Sequence, residues 1–425
     1  MKRLLQNGLV LNLSPPSVAV ADISIADGTI EAVGPDLDAD GCDEITDLAG
    51  KWVMPGLCCA HTHLYSALAC GMPGPTAPVS SFANMLEQVW WRLDKALDDQ
   101  GVEASALVGG VAALRAGVTT LVDHHASPNA IAGSLERIDG ALDVVGLRRI
   151  LCYEVSDRDG PERALAGVDA HRALLERGAT QSTAVMVGAH ANFTLSDETL
   201  RACARLATDT GVGLHIHVAE ARDDREAVGE SLIARMARLG ALRPGSLLAH
   251  CVHLDDDEIA RIADAGAWVS HQPRSNMNNA VGYAPVASFG ERTMLGTDGI
   301  GADMFAELQT AWFKAQEQGV PWSPDRWLAS LTSSYEFCGQ QLGVKIGRIE
   351  AGAKADLIVL APCPGPPLRA ENLAAAMIFR LGAGQVRHAM VDGEWRLWAG
   401  DPLGIDTIEL DRTAQAAAEG LWSRM

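Results

Sequence analysis

Short apolar, β-branched runs alternate with longer helical patterns through the middle of the chain. This alternation is typical of repeated βα units on a parallel sheet, whose strands are buried on both faces. Eight runs over roughly 290 residues fit a (β/α)8 TIM-type barrel with modest insertions better than an open sheet. The predicted strands are Val53–Ala60, Thr119–Asp123, Leu147–Tyr153, Ala184–Gly188, Gly213–Val218, Ser246–Ala249, Trp268–Ser270 and Thr293–Gly296.

The two ends of the chain show a different pattern, in which short alternating stretches are broken by turn residues. Such stretches predict short antiparallel strands. Because they occur at both ends around an α/β middle, we expect one small β-sandwich built from both termini. The sequence therefore divides into an N-terminal half of that domain (1–54), the barrel (55–344) and the C-terminal half (345–425), which closes with a helix near 410–425.

Composition narrows the class of protein. The chain has 425 residues, of which 48% are hydrophobic, and a net charge of −20, which argues against nucleic acid or an anionic membrane as a partner. The nine cysteines form no Cys-x-x-Cys pair and are expected to be reduced. With no signal-peptide pattern and no long apolar run, we expect a cytoplasmic enzyme that acts on a small molecule.

Histidines concentrate where the predicted strands end. The chain has twelve, and nine of them lie at or within strand ends. Barrel enzymes carry their chemistry at the carboxyl ends of the strands, so this ring of polar side chains predicts a functional site.

Four of these residues form the predicted metal site. His61 and His63 point to the same side of one strand, because side-chain direction alternates. With His217 and Asp298 they offer three nitrogens and one carboxylate, a set that suits one zinc or ferrous ion. No lysine lies between Lys95 and Lys314, which excludes a carbamylated lysine bridging two metals. His215 is expected one layer deeper, as a core histidine.

Glu220 and His250 are the predicted partners of the metal. Glu220 follows His217 by three residues, where it can take a proton from activated water and pass it to the substrate. His250 is either a fifth ligand or a group that contacts the water, and the second role is favoured.

The predicted substrate-binding residues are less sharply defined. His190 ends the fourth strand and can hydrogen-bond a ring heteroatom. Alternation allows only one of His124 and His125 to face inward, and we take His125. Arg274, Asn276 and Asn279 can recognise polar edges of a heterocycle, although turn chemistry explains this asparagine-rich loop equally well. The long segment from Ser66 to Gln100 is predicted to be a lid, whose Trp90 and Trp91 are better explained as core or subunit contacts than as a stacking surface.

Together these residues resemble a known family. The motifs are Pro55-Gly56-x-x-x-Ala60-His61-Thr62-His63, His217-x-x-Glu220, His250 and Gly296-Thr297-Asp298. They are similar to the amidohydrolase superfamily, in its cytosine-, guanine- and adenosine-type deaminase branch. Within that branch the chain resembles the SsnA-type aminohydrolases. The segments that carry this are Trp90-Trp91-Arg92-Leu93-Asp94, Asp123-His124-His125-Ala126-Ser127-Pro128, Arg274-Ser275-Asn276-Met277-Asn278-Asn279 and Leu295-Gly296-Thr297-Asp298-Gly299-Ile300-Gly301.

The resemblance implies one divalent metal, usually zinc, and hydrolytic loss of ammonia from a ring amidine carbon. It implies His61, His63, His217 and Asp298 as ligands, Glu220 as the proton shuttle and His250 as the group that orients the water. It also implies self-association, with a homodimer as the default, but it supplies no particular substrate. The alternatives are hydrolysis of a cyclic amide or a chlorotriazine on the same site, and a silent relative that only binds.

Overall fold

The computed structural model describes residues 1–425 and contains eighteen strands. In chain order they are β1 (Lys2–Leu13), β2 (Pro16–Ala26), β3 (Thr29–Gly34), β4 (Glu44–Asp47), β5 (Trp52–Pro55), β6 (Leu57–Thr62), β7 (Val118–His125), β8 (Arg148–Tyr153), β9 (Thr183–Val185), β10 (Val187–Ala191), β11 (Leu214–Val218), β12 (Leu247–His250), β13 (Trp268–His271), β14 (Thr293–Leu295), β15 (Leu357–Leu360), β16 (Val386–Val391), β17 (Glu394–Trp398) and β18 (Asp401–Pro402).

Fifteen α-helices connect and cover these strands. They are α1 (Phe82–Met85), α2 (Trp91–Ala96), α3 (Asp99–Arg115), α4 (Ser134–Val145), α5 (Pro161–Asp169), α6 (Arg172–Arg177), α7 (Asp197–Thr210), α8 (Arg222–Val228), α9 (Leu232–Arg238), α10 (Asp256–Asp264), α11 (Pro273–Asn278), α12 (Met304–Glu317), α13 (Pro324–Leu342), α14 (Leu373–Phe379) and α15 (Thr407–Ser423). The final helix is where the sequence predicts it. None of the helices is both long enough and apolar enough to cross a membrane.

The middle of the chain is a TIM-barrel-type α/β structure. Its parallel strands form a four-stranded sheet in the order β6-β7-β8-β9 and a five-stranded sheet in the order β10-β11-β12-β13-β14. Isolated parallel bridges, Thr62 to Asp298 and Val155 to Ala189, connect the two sheets at both sides. The carboxyl ends of these strands therefore meet on one face, as a barrel architecture requires.

Strands from both ends of the chain enter one further sheet. Its nine strands run in the order β18-β17-β16-β15-β5-β1-β2-β3, with β4 paired to β1. Both faces are buried: along β15, Leu357 and Val359 belong to one hydrophobic core, and Ile358 and Leu360 belong to another. Successive side chains of a strand point to opposite faces of the sheet. A strand whose residues are all apolar is therefore covered on both faces, as in the middle of this sheet.

Two predicted strands are wrong in their extent, because each is two strands in the structure. The run from Val53 to Ala60 is divided at Gly56: β5 pairs in the terminal sheet, and β6 pairs with β7. A Cβ atom on Gly56 would lie 2.2 Å from the side chain of Thr119, so the chain crosses between the sheets where only glycine fits. The run from Ala184 to Gly188 is divided at Met186, since β9 pairs with β8 and β10 pairs with β11.

A buried ion pair links the barrel-type sheet to the terminal sheet. Arg148, at the start of β8, donates to both carboxylate oxygens of Asp356, at 2.6 and 2.9 Å, and also to Asp392 at 3.1 Å. Arg148 and Asp356 are both buried. The two-pronged geometry satisfies a guanidinium and a carboxylate that are both removed from water.

Candidate active site

The four predicted metal ligands meet at the carboxyl ends of β6, β11 and β14. His63 Nε2 lies 3.1 Å from His217 Nε2 and 2.9 Å from Asp298 Oδ1, and His61 Nε2 lies 3.5 Å from the same oxygen. One potential ligand atom of each residue lies within 4.8 Å of the others. The structure thus brings together residues that are up to 237 positions apart, from His61 to Asp298 (298 − 61).

Hydrogen bonds behind the imidazoles orient their free nitrogens toward this centre. His63 donates from Nδ1 to the carbonyl of His124 at 2.5 Å, and His217 donates from Nδ1 to the carbonyl of His190 at 2.8 Å. A carbonyl can only accept, so each neutral ring keeps its lone pair on Nε2. His61 contacts His215 through Nδ1 at 2.8 Å, which leaves its buried Nε2 without a partner. This outer arrangement is the usual one behind metal-bound histidines.

The electrostatics of the centre favour a cation. Burial lowers the pKa of His61 to about 3, which keeps that ring neutral. Burial also lowers the pKa of His63, but the Asp298 carboxylate outweighs burial and raises it to about 9. Burial raises the pKa of Asp298, yet the adjacent rings of His61 and His63 outweigh burial and hold it well below its ordinary range. A proton on His63 thus supplies a positive charge at the centre of the cluster. The nitrogen and oxygen donors around it are ligands that fit a divalent metal.

Glu220 and His250 lie beside this cluster. Glu220 Oε2 is 3.6 Å from His250 Nε2, and His250 Nδ1 contacts Asn276 Oδ1 at 2.9 Å. Because that amide oxygen accepts, His250 donates from Nδ1 and a neutral ring presents its Nε2 lone pair to the site. Burial, followed by the charge of Asp298, raises the pKa of Glu220 well above its ordinary value. This shift favours the protonated form of Glu220, which is the form that a general acid needs.

The backbone at these strand ends is unusual. Ala219, His250, Cys251 and Asp298 have positive φ angles of 49°, 71°, 51° and 53°. Residues other than glycine seldom adopt this left-handed region, and such strain clusters at functional sites. The side chain of Ser275 donates a hydrogen bond to Asp298 Oδ2 and helps to fix the carboxylate.

A cavity of about 570 Å³, including its opening to solvent, lies over the cluster. Its lining is His63, Tyr65, Ser66, Phe82, Leu86, Trp90, Trp91, Glu154, His190, His217, Glu220, Ser275, Asn278, Asn279, Asp298, Gly299 and Ile300. Trp90 and Trp91 thus face the cavity, so the predicted lid segment contributes aromatic surface to it. No lysine or arginine lines the cavity.

Of the predicted substrate-binding residues, His190 and Asn279 line this cavity. His125 does not line the cavity: its Nε2 contacts Ser127 Oγ at 2.9 Å, and its ring faces Tyr65 and Tyr153. The neighbouring His124 faces the metal cluster instead. It lies two positions after the inward-facing Val122, and residues two positions apart on a strand point to the same side.

Arg274 and Asn276 do not line the cavity either. Arg274 donates to the buried carboxylate of Glu307 at 2.5 Å, so its charge is neutralised away from the cavity. Asn276 lies behind His250, and its neighbours Ser275, Asn278 and Asn279 reach the cavity in its place. A six-residue helix, α11, puts these side chains on different faces.

Glu154 lines the cavity and was missed from the sequence. It directly follows β8, and its side chain is 3% exposed. Ile150 and Cys152 both face the inner core, so alternation along the strand carries Glu154 to the same side. Burial raises its pKa, but His190, His124 and His63 together hold it well below the ordinary value. The rule that found the histidines, a polar residue at a strand end, also indicates this glutamate.

Comparison with known proteins establishes the family. Residues 52–396 match the model of the amidohydrolase family, and the chain belongs to that family. It is 31% identical over 367 residues to the 5-methylthioadenosine/S-adenosylhomocysteine deaminase of Symbiobacterium thermophilum, covering 82% of this chain and 81% of that protein. It is 28% identical over 447 residues to the 5'-deoxyadenosine deaminase of Methanosarcina mazei, covering 99% of both.

Solved structures support the same fold. A zinc-bound adenosine deaminase from Xanthomonas campestris superposes with a TM-score of 0.84 at 22% identity, covering 99% of this chain and 98% of that one. A zinc complex of atrazine chlorohydrolase from Arthrobacter aurescens gives a TM-score of 0.79 at 21% identity, covering 98% and 100%. At these identities the likeness defines the fold alone.

Proposed function

We propose that this protein is a metal-dependent hydrolytic deaminase, which releases ammonia from a ring amidine carbon of a heterocycle such as a purine, pterin or pyrimidine. The observation that carries the proposal is the position of Glu220, a half-buried carboxyl group with a raised pKa, beside a three-histidine, one-aspartate cluster at the floor of a cavity. Membership of the amidohydrolase family and the deaminase names of its relatives support the same reaction.

The proposed ligands of one divalent metal are His61, His63, His217 and Asp298. Zinc is favoured over ferrous iron, because three imidazoles and a carboxylate suit both ions and a structural neighbour holds zinc. A divalent ion bound there acts as a Lewis acid that lowers the pKa of water toward ~7. Such an ion would bind Nε2 of His61, which is buried and has no hydrogen-bond partner.

Four side chains are proposed to act on the water, on protons and on the substrate. Glu220 takes a proton from the attacking water and delivers it to the ring nitrogen next to the attacked carbon. His250 accepts a hydrogen bond from that water through Nε2, with its ring held by Asn276. His190, which lines the cavity, binds a heteroatom of the ring. Asp298 is proposed to help position the water as one of the metal ligands, while Ser275 holds its second oxygen.

The finer organisation of the chain belongs to the same proposal. We infer that the two parallel sheets close into one (β/α)8 barrel, for which the bridges Thr62 to Asp298 and Val155 to Ala189 are the support. The terminal sheet is proposed to form a small β-sandwich, with domain limits at 1–54, 55–344 and 345–425. A homodimer in the cytoplasm is the proposed assembly and location, and light scattering on the purified protein tests the dimer.

Replacing Glu220 with glutamine tests the proposed reaction. Glutamine keeps the size of the side chain but cannot shuttle a proton, so we expect the metal content to stay at one per chain while turnover falls roughly 10²- to 10⁴-fold. The assay is ammonia release across purines, pterins, pyrimidines and triazines, with metal measured by emission spectroscopy. Unchanged turnover in the fully metallated variant would refute the role of Glu220.

The same assay separates the alternatives. If the protein releases chloride from a chlorotriazine, or opens a cyclic amide without releasing ammonia, then that reaction replaces deamination as its function. A preparation made without chelators that holds no stoichiometric metal indicates a relative that only binds.

A further inference from the structure

Glu154 is the one charged side chain of the cavity lining that has no part in the proposed metal site or proton transfer. The other charged groups of the lining are Glu220 and Asp298, together with the histidines. Since no lysine or arginine faces the cavity, an anionic group such as a phosphate finds no counter-charge there. The substrate must instead satisfy a carboxylate, which accepts hydrogen bonds and donates none.

No protein group donates a hydrogen bond to Oε2 of Glu154. His124 lies 3.4 Å from Oε2, but its Nε2 donates to the carbonyl of His215 at 3.2 Å, so the facing Nδ1 of a neutral ring carries no hydrogen. His63 lies 3.9 Å away, and its Nδ1 hydrogen is bound by the carbonyl of His124. His190 reaches only Oε1, at 3.4 Å, and Oε2 is buried without any partner.

An unfilled carboxylate in a buried position points to a ligand. Buried polar groups in proteins are nearly always hydrogen-bonded, and exceptions cluster where a ligand completes the set. Glu154 also lies against the ring of His63, a proposed metal ligand, at 3.9 Å. The N–H group that donates to Glu154 is therefore expected on the substrate ring, close to the carbon that water attacks.

We propose that Glu154 binds a ring N–H next to the attacked carbon, and that the substrate is a cyclic acylguanidine. This inference rests on the deaminase function proposed above. In such a ring the amino-bearing carbon lies between an unprotonated nitrogen and an N–H that is bonded to a carbonyl carbon. Glu220 protonates the first nitrogen, and Glu154 accepts the hydrogen bond from the second.

The reaction balances without a further reactant. The oxygen of water bonds to the amino-bearing carbon, the bond from that carbon to the amino nitrogen breaks, and ammonia leaves with the protons that Glu220 transfers. The product is the corresponding dioxo ring. Guanine, pterin and isocytosine belong to this class.

Adenine nucleosides do not offer the donor that Glu154 requires. Their only N–H groups on the base are on the amino group that leaves, and the ring nitrogens are acceptors. The named relatives act on adenosine derivatives. A site whose buried acceptor is left unpaired rejects a substrate strongly, by factors of roughly 10⁴ in favourable cases. We therefore expect this chain to differ from those relatives in its substrate.

The first experiment needs only the zinc-loaded wild-type protein. Ammonia release is measured with guanine, pterin and isocytosine, and with adenosine and 5'-deoxyadenosine. We expect the adenosines to give kcat/KM values lower by roughly 10²-fold or more. With 1-methylguanine, which lacks the N–H, kcat/KM is expected to fall by a similar factor, whereas 7-methylguanine, methylated on the other ring, keeps the N–H and retains more activity.

The second experiment compares Glu154→Gln with Glu162→Gln, a matched change on the exposed surface of α5. We expect Glu154→Gln to lower kcat/KM for guanine at least tenfold, with metal content and melting temperature retained, and to narrow the difference between guanine and 1-methylguanine. Glu162→Gln leaves these values unchanged. If Glu154→Gln does not fold, the two methylguanines still decide the question on the wild-type protein.

Three results would overturn the proposal, and they are distinguishable. Faster turnover of adenosines than of acylguanidines refutes the substrate class but leaves the deaminase function standing. The second result is that the wild-type protein prefers adenosine to 9-methyladenine and that Glu154→Gln abolishes this preference. Glu154 would then bind ribose hydroxyls and not a ring N–H. Absence of ammonia from every heterocycle, with full zinc occupancy, refutes the deaminase function itself.

Discussion

Replacing His215 with phenylalanine tests how the hydrogen bond behind His61 contributes to metal affinity. His215 Nε2 accepts from His61 Nδ1 at 2.8 Å, and its own Nδ1 faces the sulfur of Cys152 at 3.5 Å. This chain of contacts keeps the lone pair of His61 on Nε2, where the proposed metal binds. Phenylalanine fills the same buried space but offers no acceptor, so His61 loses the group that sets its tautomer and orientation.

The expected loss follows from the behaviour of groups that hold metal ligands. Removing such a partner costs roughly 10- to 100-fold in metal affinity, or about 1.4–2.7 kcal/mol of binding free energy. The assay is competition for zinc against a chromophoric chelator at fixed pH. Because the ligands remain, excess zinc should restore most of the turnover.

His271→Phe is the matched control for this prediction. His271 ends β13 as a buried histidine whose two ring nitrogens have no partner, and it contacts Trp327 and Tyr283 instead of the metal cluster. We expect its zinc affinity to equal that of the wild-type protein. Unchanged zinc affinity in folded His215→Phe refutes the reasoning, and so does an equal loss in both variants.

Two further predictions concern stability. Arg148→Met leaves the Asp356 carboxylate buried without its partner, and we expect the free energy of unfolding to fall by about 3–5 kcal/mol, measured by urea denaturation; a change below 1 kcal/mol is the contrary outcome. Burial raises the pKa of Glu307 to about 7 from its ordinary 4.5, against the opposing effect of Arg274. The native state therefore binds more protons than the unfolded state between those values, and its stability falls as the pH rises through that window. Glu307→Gln should remove this slope, and parallel stability curves for the two proteins would contradict the assignment.

Much of the site could be predicted because its residues obey local rules. His61 and His63 lie two positions apart on a strand, and His217 and Asp298 lie at strand ends that the apolar runs had already marked. Strand-end position and side-chain alternation are properties of a short segment, so they are accessible without coordinates. The same rules indicate Glu154 through Ile150 and Cys152, and this signal is visible in the sequence.

Other features depend on partners that are distant in the chain. The division of the first predicted strand at Gly56 reflects the approach of Thr119, and the position of Arg274 reflects its pairing with Glu307. Neither partner can be identified from the local pattern, since the apolar run continues through Gly56 and Arg274 lies in a polar loop.

The sequence by itself determined the βα repeat in the middle of the chain and the polar residues that follow its predicted strands. Those are consequences of periodicity and of strand ends, which each segment carries on its own. Only the tertiary structure decided which nitrogen of each histidine is free, that Glu220 lies beside Asp298, and that Oε2 of Glu154 has no donor. Hydrogen-bond partners and burial are set by neighbours from other strands, so they exist only once the chain has folded.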